Sequence, residues 1–232
     1  MRQTFITHQH SPRLLLFFAG WGMDEHPFRH YPPGCDRMVC YDYRTLDFSV
    51  DELKEYSEIR VVGWSMGVWA ASQLVTTLAT LPVTQRIAVN GTPYPVDEYR
   101  GISPSIFEGT LHGLNENSLQ KFQRRMCGSA TAFKRFQEIA PQRSVTELKE
   151  ELSAIREAYL TRSQPAWHWD AALVGTADAI FLPANQQRAW TGQQTSCRSI
   201  EAAHYSEELF KNLFTALSSE EAKDGLLSID HE

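Results

Sequence analysis

Short apolar runs alternate with amphipathic stretches along the first part of the chain. Residues 14–18, 37–41, 59–62 and 86–90 are rich in apolar and β-branched side chains. These runs predict buried strands. Residues 68–78 have the apolar spacing of a helix. Since strands alternate with helical segments, the pattern predicts a mostly parallel central sheet with helices on both faces.

The pattern changes in the middle of the chain. Residues 104–168 contain almost no β-branched run and show amphipathic helical spacing instead. We therefore predict an α/β core built from residues 1–103 and 169–232, with residues 104–168 inserted into it as a helical lid. The predicted lid helices are residues 118–126, 130–139 and 145–160.

The α/β pattern returns after the predicted lid. We expect three more strands and two more helices there, followed by a polar tail from Ser218 onward that we expect to be frayed. The strands are predicted at residues 171–174, 179–182 and 198–201, and the helices at residues 185–190 and 206–217.

Composition narrows the class of protein. Hydrophobic residues make up 42% of the 232 positions and charged residues 22%, which is typical of a soluble globular protein. The formal charge of −6 argues against non-specific binding to nucleic acid. We see no apolar run long enough to span a membrane and no signal-peptide cleavage site, so we expect a cytoplasmic protein. The four cysteines lack zinc-like spacing, and free buried thiols are expected.

The segment Gly63-Trp64-Ser65-Met66-Gly67 matches the pattern Gly-x-Ser-x-Gly between a predicted strand and a predicted helix. In a nucleophile elbow, a sharp turn exposes the serine hydroxyl, and glycines fill the positions where side chains would collide. The following backbone N–H lies near the helix N-terminus, where negative charge is stabilised. This context predicts Ser65 as a catalytic nucleophile.

A serine hydroxyl needs a base to take its proton, and the base needs an acid to orient it. His204 follows the last predicted strand, where elbow-type hydrolases carry their histidine, and His168 is the second candidate. Asp178 follows the predicted strand 171–174 and is the preferred acid. Asp170 precedes that strand and is the alternative.

An oxyanion hole needs two fixed N–H donors. We expect these to be the backbone N–H groups of Met66 and of Trp21, which lies between two glycines after the first apolar run. The Trp21 indole is also a candidate wall of the acyl pocket. His8 and His10 form a His-x-His pair without a third nearby ligand, so neither a metal nor another cofactor is expected.

Four segments together resemble the BioG esterases of biotin synthesis across nearly the whole chain. They are residues 18–24, the elbow, residues 178–186 and the tripeptide Ala203-His204-Tyr205. The resemblance implies an α/β-hydrolase fold. It also implies a serine esterase that hydrolyses the methyl ester of pimeloyl-acyl carrier protein, giving pimeloyl-acyl carrier protein and methanol.

The predicted lid contains a basic segment that fits such a partner. Between residues 119 and 144, six basic residues stand against one acid, Glu138, in a chain whose total charge is negative. Given the resemblance, we expect this segment to dock the acidic carrier protein, with an encounter that depends on ionic strength. The expected docking residues are Lys121, Arg124, Arg125, Lys134 and Arg135, and Arg143 is the sixth basic residue.

Two other functions remain open on the residues alone. A thioesterase or a general short-chain carboxylesterase would use the same elbow chemistry, and the length of the pocket would separate these enzymes. A non-catalytic binding module on the same fold would not react covalently at Ser65. Covalent labelling by a fluorophosphonate discriminates between the catalytic functions and the binding function.

Overall fold

The computed structural model describes residues 1–32, 34–163 and 167–218. Its strands form one seven-stranded sheet with the spatial order β1-β3-β2-β4-β5-β6-β7. Only the pair formed by β1 and β3 is antiparallel, so the predicted mostly parallel sheet is confirmed. The strands are β1 (Arg2–Thr7), β2 (Arg13–Phe18), β3 (Asp36–Tyr41), β4 (Glu58–Trp64), β5 (Val83–Val89), β6 (Ala171–Ala177) and β7 (Ser196–Ala203).

From β4 onward, α-helices alternate with the strands along the chain. Among the described helices, none is long and apolar enough to cross a membrane. The helices are α1 (Met66–Ser72), α2 (Val75–Leu78), α3 (Pro104–Gly113), α4 (Glu116–Cys127), α5 (Ala130–Glu138), α6 (Val145–Thr161), α7 (Pro183–Trp190) and α8 (Glu207–Ser218).

Helices cover both faces of the sheet. Trp64 of β4 packs edge-on against Phe210 of α8, with ring centroids 5.1 Å apart. The preceding residue, Gly63, faces Val68 of α1. Because successive side chains of a strand point to opposite faces, α8 and α1 lie on opposite sides of the sheet. The inner strand β2, next to β4, is almost completely buried.

The helical insertion, by which we mean α3 to α6, lies in the connection between β5 and β6. Its helices have strong start and stop signals. Asn115 and Ser118 form a capping box at the start of α4, and Ser144 and Glu147 form one at the start of α6. Gly128 ends α4 in the left-handed conformation with φ 73°. The boundaries 104–168 for a separate lid unit stay a prediction.

Three local expectations are wrong. Residues 179–182 do not form a strand, because the Asp178 side chain accepts hydrogen bonds from the Ile180 and Phe181 N–H groups and turns the chain. The predicted helix 68–78 is interrupted between Ser72 and Val75, where α1 ends and α2 begins. Cys197 is exposed on the edge strand β7, although the other three thiols are buried.

The first residue of the tail that we expected to be frayed belongs to a helix. Ser218 is the last residue of α8 and is buried, 7% exposed. The rest of that predicted tail, residues 219–232, lies outside the described residues.

A buried cluster of charged residues joins the N-terminal half of α6 to the loop after β3. The Arg143 guanidinium lies 2.6 Å from the Glu151 carboxylate and 3.1 Å from the Asp42 carboxylate. Arg44 pairs with Asp42 from the other side at 2.7 Å. The Tyr43 backbone N–H donates to Glu151 at 2.9 Å. Since Glu151 and Arg143 are nearly solvent-free, each charge depends on its partner.

We expect Arg143→Met to destabilise the protein by about 3 kcal/mol at pH 8, because it leaves the Glu151 carboxylate buried without its cation. Burial raises the pKa of Glu151, and the Arg143 guanidinium opposes that shift. A carboxyl whose folded pKa lies above its unfolded value stabilises the fold when protonated, and this contribution is lost as pH rises through the folded pKa. Urea unfolding should therefore show a smaller loss at pH 5 than at pH 8.

The control for this prediction is Glu151→Gln in the Arg143→Met background. The double variant carries no unpaired buried charge at position 151, so its stability relative to wild type should vary much less between pH 5 and pH 8. A single variant that loses the same free energy of unfolding at both pH values would contradict the explanation.

Candidate active site

Ser65 lies on a sharp turn between β4 and α1. Its backbone has φ 58° and ψ −126°, an unusual conformation for a residue other than glycine. A Cβ at Gly67 would lie 2.1 Å from the Phe18 carbonyl oxygen. A Cβ at Gly63 would lie 2.8 Å from both the Trp169 ring and the Val68 Cα. The turn therefore needs glycine on both sides of the serine, as the Gly-x-Ser-x-Gly pattern predicts.

The structure brings Ser65, His204 and Asp178 into one hydrogen-bonded line. The His204 Nε2 atom lies 2.9 Å from Ser65 Oγ, and its Nδ1 atom lies 2.9 Å from Asp178 Oδ2. All three residues are buried, with exposed fractions of 5%, 1% and 3% respectively. The histidine ring also stacks on Phe181 at 6.1 Å, which restricts its rotation. Such an arrangement can move a proton from the hydroxyl to the imidazole.

The Asp178 carboxylate is held by four donors. Its Oδ1 atom accepts from the Ile180 and Phe181 N–H groups at 2.8 and 3.0 Å. Its Oδ2 atom faces His204 and also accepts from Gln186 Nε2 at 2.9 Å. Because Oδ1 is occupied, Oδ2 is the oxygen available to the imidazole. The Gln186 contact was not predicted from the sequence, since a glutamine in a short helix has no pattern that separates this role from surface exposure.

The alternative acid and base lie together at the other end of the sheet. Asp170 pairs with Arg86 at 3.1 Å and with His168 at 3.3 Å, and all three side chains are partly exposed. Asp170 precedes β6, whereas Ser65 follows β4. In a parallel sheet these positions are at opposite strand ends. His168 and Asp170 therefore form a cluster separate from Ser65.

Trp21 and Met66, the expected oxyanion donors, line the same narrow cleft as Ser65 and His204. The Trp21 indole donates to the Leu148 carbonyl of α6 at 2.9 Å, which ties the loop after β2 to the helical insertion. The indole also forms part of the cleft wall. Their roles as N–H donors stay a prediction.

One group among the described residues has the right atoms for a metal ion: Asp24, Glu25 and His26. The Asp24 carboxylate already accepts from the His26 backbone N–H at 2.9 Å and from the Gln142 backbone N–H at 2.7 Å. These bonds give the carboxylate a structural role that links the loop after β2 to the segment before α6. The expectation that the protein needs no metal stays a prediction.

The six basic residues between positions 119 and 144 divide into two sets. Arg143, which was not among the expected docking residues, is buried and paired with Asp42 and Glu151. The remaining side chains are exposed, and none of them pairs with a carboxylate in the described part of the chain. These residues, which we call the basic patch, are Lys121, Arg124, Arg125, Lys134 and Arg135.

A mostly parallel sheet with a serine elbow at its carboxyl end and helices on both faces defines the α/β-hydrolase class. The esterase EaEST from Exiguobacterium antarcticum has this fold, with a TM-score of 0.69 at 13% identity over 94% of this chain and 95% of its own. The chain belongs to the BioG family within this class, because the family model described as "Pimeloyl-ACP methyl esterase BioG" matches residues 1–217. At 13% identity the likeness to EaEST shows the fold alone, and the family membership rests on the family model.

Of two individual relatives, one carries the family's name and the other carries the name of a different enzyme. The crystal structure of BioG from Haemophilus influenzae has a TM-score of 0.85 at 36% identity, over 94% of this chain and 100% of that one. A Bacteroides fragilis protein named malonyl-[acyl-carrier protein] O-methyltransferase is 55% identical over 207 residues, which are 88% of this chain. This chain spans only 42% of that longer protein.

Proposed function

We propose that this protein is a serine esterase that hydrolyses the methyl ester of pimeloyl-[acyl-carrier protein] to pimeloyl-[acyl-carrier protein] and methanol. The observation that carries the proposal is the contact of Ser65 with His204 and of His204 with Asp178, in a chain of the BioG family. The substrate is proposed from the family, and the reaction mechanism is proposed from the three side chains.

The reaction proceeds in two steps. His204 Nε2 takes the Ser65 proton as Oγ attacks the ester carbonyl, and the Trp21 and Met66 N–H groups stabilise the negative oxygen. The protonated imidazole, oriented by Asp178, then gives its proton to methanol as the ester bond breaks. Water attacks the acyl-enzyme with His204 again as base, which releases the carboxylic acid and restores the Ser65 hydroxyl.

The cleft beside Ser65 is mostly apolar. Side chains from α3, α4 and α6 line it, including Phe107, Phe122 and Leu152. This lining suits the hydrocarbon part of an acyl chain, and Arg125 adds a cation to the wall.

The carrier protein reaches this cleft from the side of the basic patch. Arg125 lines the cleft, and Arg125 and Lys121 line a neighbouring groove between α3 and α4. The cleft and the groove share Ile106, Thr110 and Phe122 in their walls, so they are continuous. A flexible arm on an acidic carrier can lie along this groove while the cations contact the carrier.

The triple variant Lys121→Ala, Arg124→Ala, Lys134→Ala should raise KM for the carrier-bound ester by about tenfold at low salt, because it removes three attractive charges outside the catalytic cleft. Turnover of a small aryl ester, which needs no docking, should change little. Steady-state kinetics at two ionic strengths measure both effects.

A second triple variant at exposed cations on α6, just beyond it and on α8 provides a control with the same change in charge: Lys149→Ala, Arg162→Ala and Lys211→Ala. It should leave KM for the carrier substrate nearly unchanged. Equal effects of the two triple variants would show that net charge matters rather than the basic patch.

Mass spectrometry of methyl pimeloyl-carrier protein after incubation with the enzyme tests the proposed function. We expect the carrier to lose one methylene unit in mass and to keep its acyl chain. A carrier stripped of the whole acyl group would identify a thioesterase instead. An unchanged carrier together with rapid hydrolysis of aryl esters would favour a general short-chain esterase.

A further inference from the structure

Asn90 lies directly after β5 and is completely buried, at 0% exposure. Its backbone is left-handed, with φ 45°, a conformation that asparagine tolerates better than most residues. Its side-chain amide donates to the carbonyl oxygens of Ala203 and His204, both at 3.0 Å. Its side-chain oxygen accepts from the Gly175 N–H at 2.6 Å. One carboxamide therefore joins the ends of β6 and β7.

Each of these contacts lies beside a member of the proposed triad. The His204 carbonyl belongs to the residue that carries the imidazole, and Gly175 lies three residues before Asp178. Asp178 in turn donates its backbone N–H to the Gly175 carbonyl at 3.1 Å. The carboxamide of Asn90 thus holds the backbone of the base and the start of the acid loop at a fixed separation.

The proposed nucleophile, Ser65, contacts the residues on either side of Asn90 in the chain. The Ser65 backbone N–H donates to the Val89 carbonyl at 3.0 Å. A Cβ at Gly91 would lie 2.4 Å from the Ser65 carbonyl oxygen, so the chain after Asn90 passes directly against the elbow. A Cβ at Gly175 would meet the Asn90 carboxamide at 2.9 Å. Two glycines therefore permit the close approach of the three segments.

We propose that Asn90 is a positioning residue for the reaction, because its carboxamide sets the His204 backbone and the Asp178 loop relative to Ser65. The proposal rests on the serine mechanism proposed above. Asn90 itself does not contact the imidazole, the hydroxyl or the cleft, and it acts through the backbone of the residues that do. Both ends of its amide are used, so neither a donor alone nor an acceptor alone replaces it.

Asn90→Asp is the most direct test, because aspartate has nearly the same shape as asparagine and also tolerates a left-handed backbone. A carboxyl group has at most one O–H, so it cannot donate to both the Ala203 and the His204 carbonyls, and when ionised it donates to neither and places negative charge against them. The His204 carbonyl keeps one donor, Trp64 Nε1 at 2.9 Å. We therefore expect misalignment, and a fall in kcat for p-nitrophenyl acetate of about 10- to 100-fold. KM should stay within about twofold, since Asn90 does not line the cleft.

Asn185→Asp is the matched control. The Asn185 amide is also buried and also donates to two backbone carbonyls, those of Glu98 and Gly101, at 3.2 and 2.8 Å. Arg188 donates to the Asn185 side-chain oxygen, so a carboxylate there gains a partner. This variant should keep kcat within about threefold of wild type, while thermal melts report the stability of both variants.

Asn90→Gly provides a second variant, which keeps the left-handed backbone and deletes all three side-chain bonds. The rate at which a fluorophosphonate labels Ser65 should fall in both Asn90 variants, because labelling needs the aligned base. A folded Asn90→Asp protein with kcat equal to that of Asn185→Asp would overturn the proposal. Loss of the folded state in both Asn90 variants would also overturn it, because the residue would then be needed for folding rather than for alignment.

The same experiment separates this proposal from the proposed function. Wild-type protein that neither hydrolyses p-nitrophenyl acetate nor reacts with a fluorophosphonate would remove the serine mechanism itself. Wild-type protein that does both, with no difference between the Asn90 and Asn185 variants, would remove only the positioning role.

Discussion

Replacing Ser65 by alanine should lower kcat for ester hydrolysis by about 10⁶-fold and leave the fold intact. The variant deletes one oxygen, and without it no acyl-enzyme can form. The backbone bonds of the elbow do not involve that atom, since the Ser65 N–H donates to the Val89 carbonyl and the Ser65 carbonyl accepts from Val68. Hydrolysis of methyl pimeloyl-carrier protein and of p-nitrophenyl acetate, with a thermal melt, measures both expectations.

The control for this variant is Ser72→Ala in the neighbouring helix. The Ser72 hydroxyl is also buried, donates to the Val68 carbonyl at 2.8 Å and accepts from the Trp169 indole at 3.1 Å. Its loss should lower the free energy of unfolding by about 1 kcal/mol and leave kcat close to that of wild type.

A Ser65→Ala protein that kept a hundredth or more of its activity would show that the nucleophile is misassigned. Failure of wild-type Ser65 to react with a fluorophosphonate would favour a binding module.

Asp178→Asn should lower kcat by about 10⁴-fold without loss of structure. The amide nitrogen would take the place of Oδ2 and donate to His204 Nδ1. The imidazole would then carry its proton on Nε2, directed at Ser65 Oγ, and could not accept the serine proton. The remaining oxygen can keep the bonds from Ile180 and Phe181, so the loop should hold its shape.

Gln186 makes the substitution at Asp178 costly for stability. Its Nε2 atom donates to Asp178 Oδ2 and to the Phe181 carbonyl, and the new amide nitrogen cannot accept the first of these bonds. A rotation of the Gln186 amide would present Oε1 to that nitrogen, but it would also turn Oε1 toward the Phe181 carbonyl and lose the second bond. We therefore expect the free energy of unfolding of Asp178→Asn to fall by about 2 kcal/mol, measured by urea unfolding.

Asp170→Asn tests the alternative acid with the same chemical change. It weakens the pairs with Arg86 and His168, both partly exposed, and should cost little stability and no more than about twofold in kcat. Measured side by side, the two variants assign the acid directly. A severe loss of kcat in Asp170→Asn together with normal activity in Asp178→Asn would reverse the assignment.

The local pattern of the sequence was sufficient for the framework of the fold. Continuous apolar runs predicted the buried parallel strands, and the glycines around Ser65 predicted the sharp turn, because both depend on neighbours within a few residues. The pattern predicted the wrong structure where a side chain forms hydrogen bonds within its own loop. The apolar residues Ile180 and Phe181 suggested a strand, but the Asp178 carboxylate turns that segment and the side chains pack beside His204 instead.

The charge pattern was informative only in part. The sequence predicted a basic segment between residues 119 and 144, and five of its six cations are exposed. It could not show that Arg143 turns inward, because its partners Asp42 and Glu151 lie 101 and 8 positions away and only the packing of α6 brings all three together.

The chain by itself therefore determined the family, the sheet and the turn that presents Ser65. Tertiary structure decided which distant polar groups meet: His204 lies 139 positions from Ser65, and the Asn90 carboxamide reaches a carbonyl 114 positions away. Hydrophobic periodicity records which face of an element is buried, but a hydrogen bond between buried groups depends on distances of a few tenths of an ångström. Those distances are set by how the strands and loops pack, and no local pattern of residues records them.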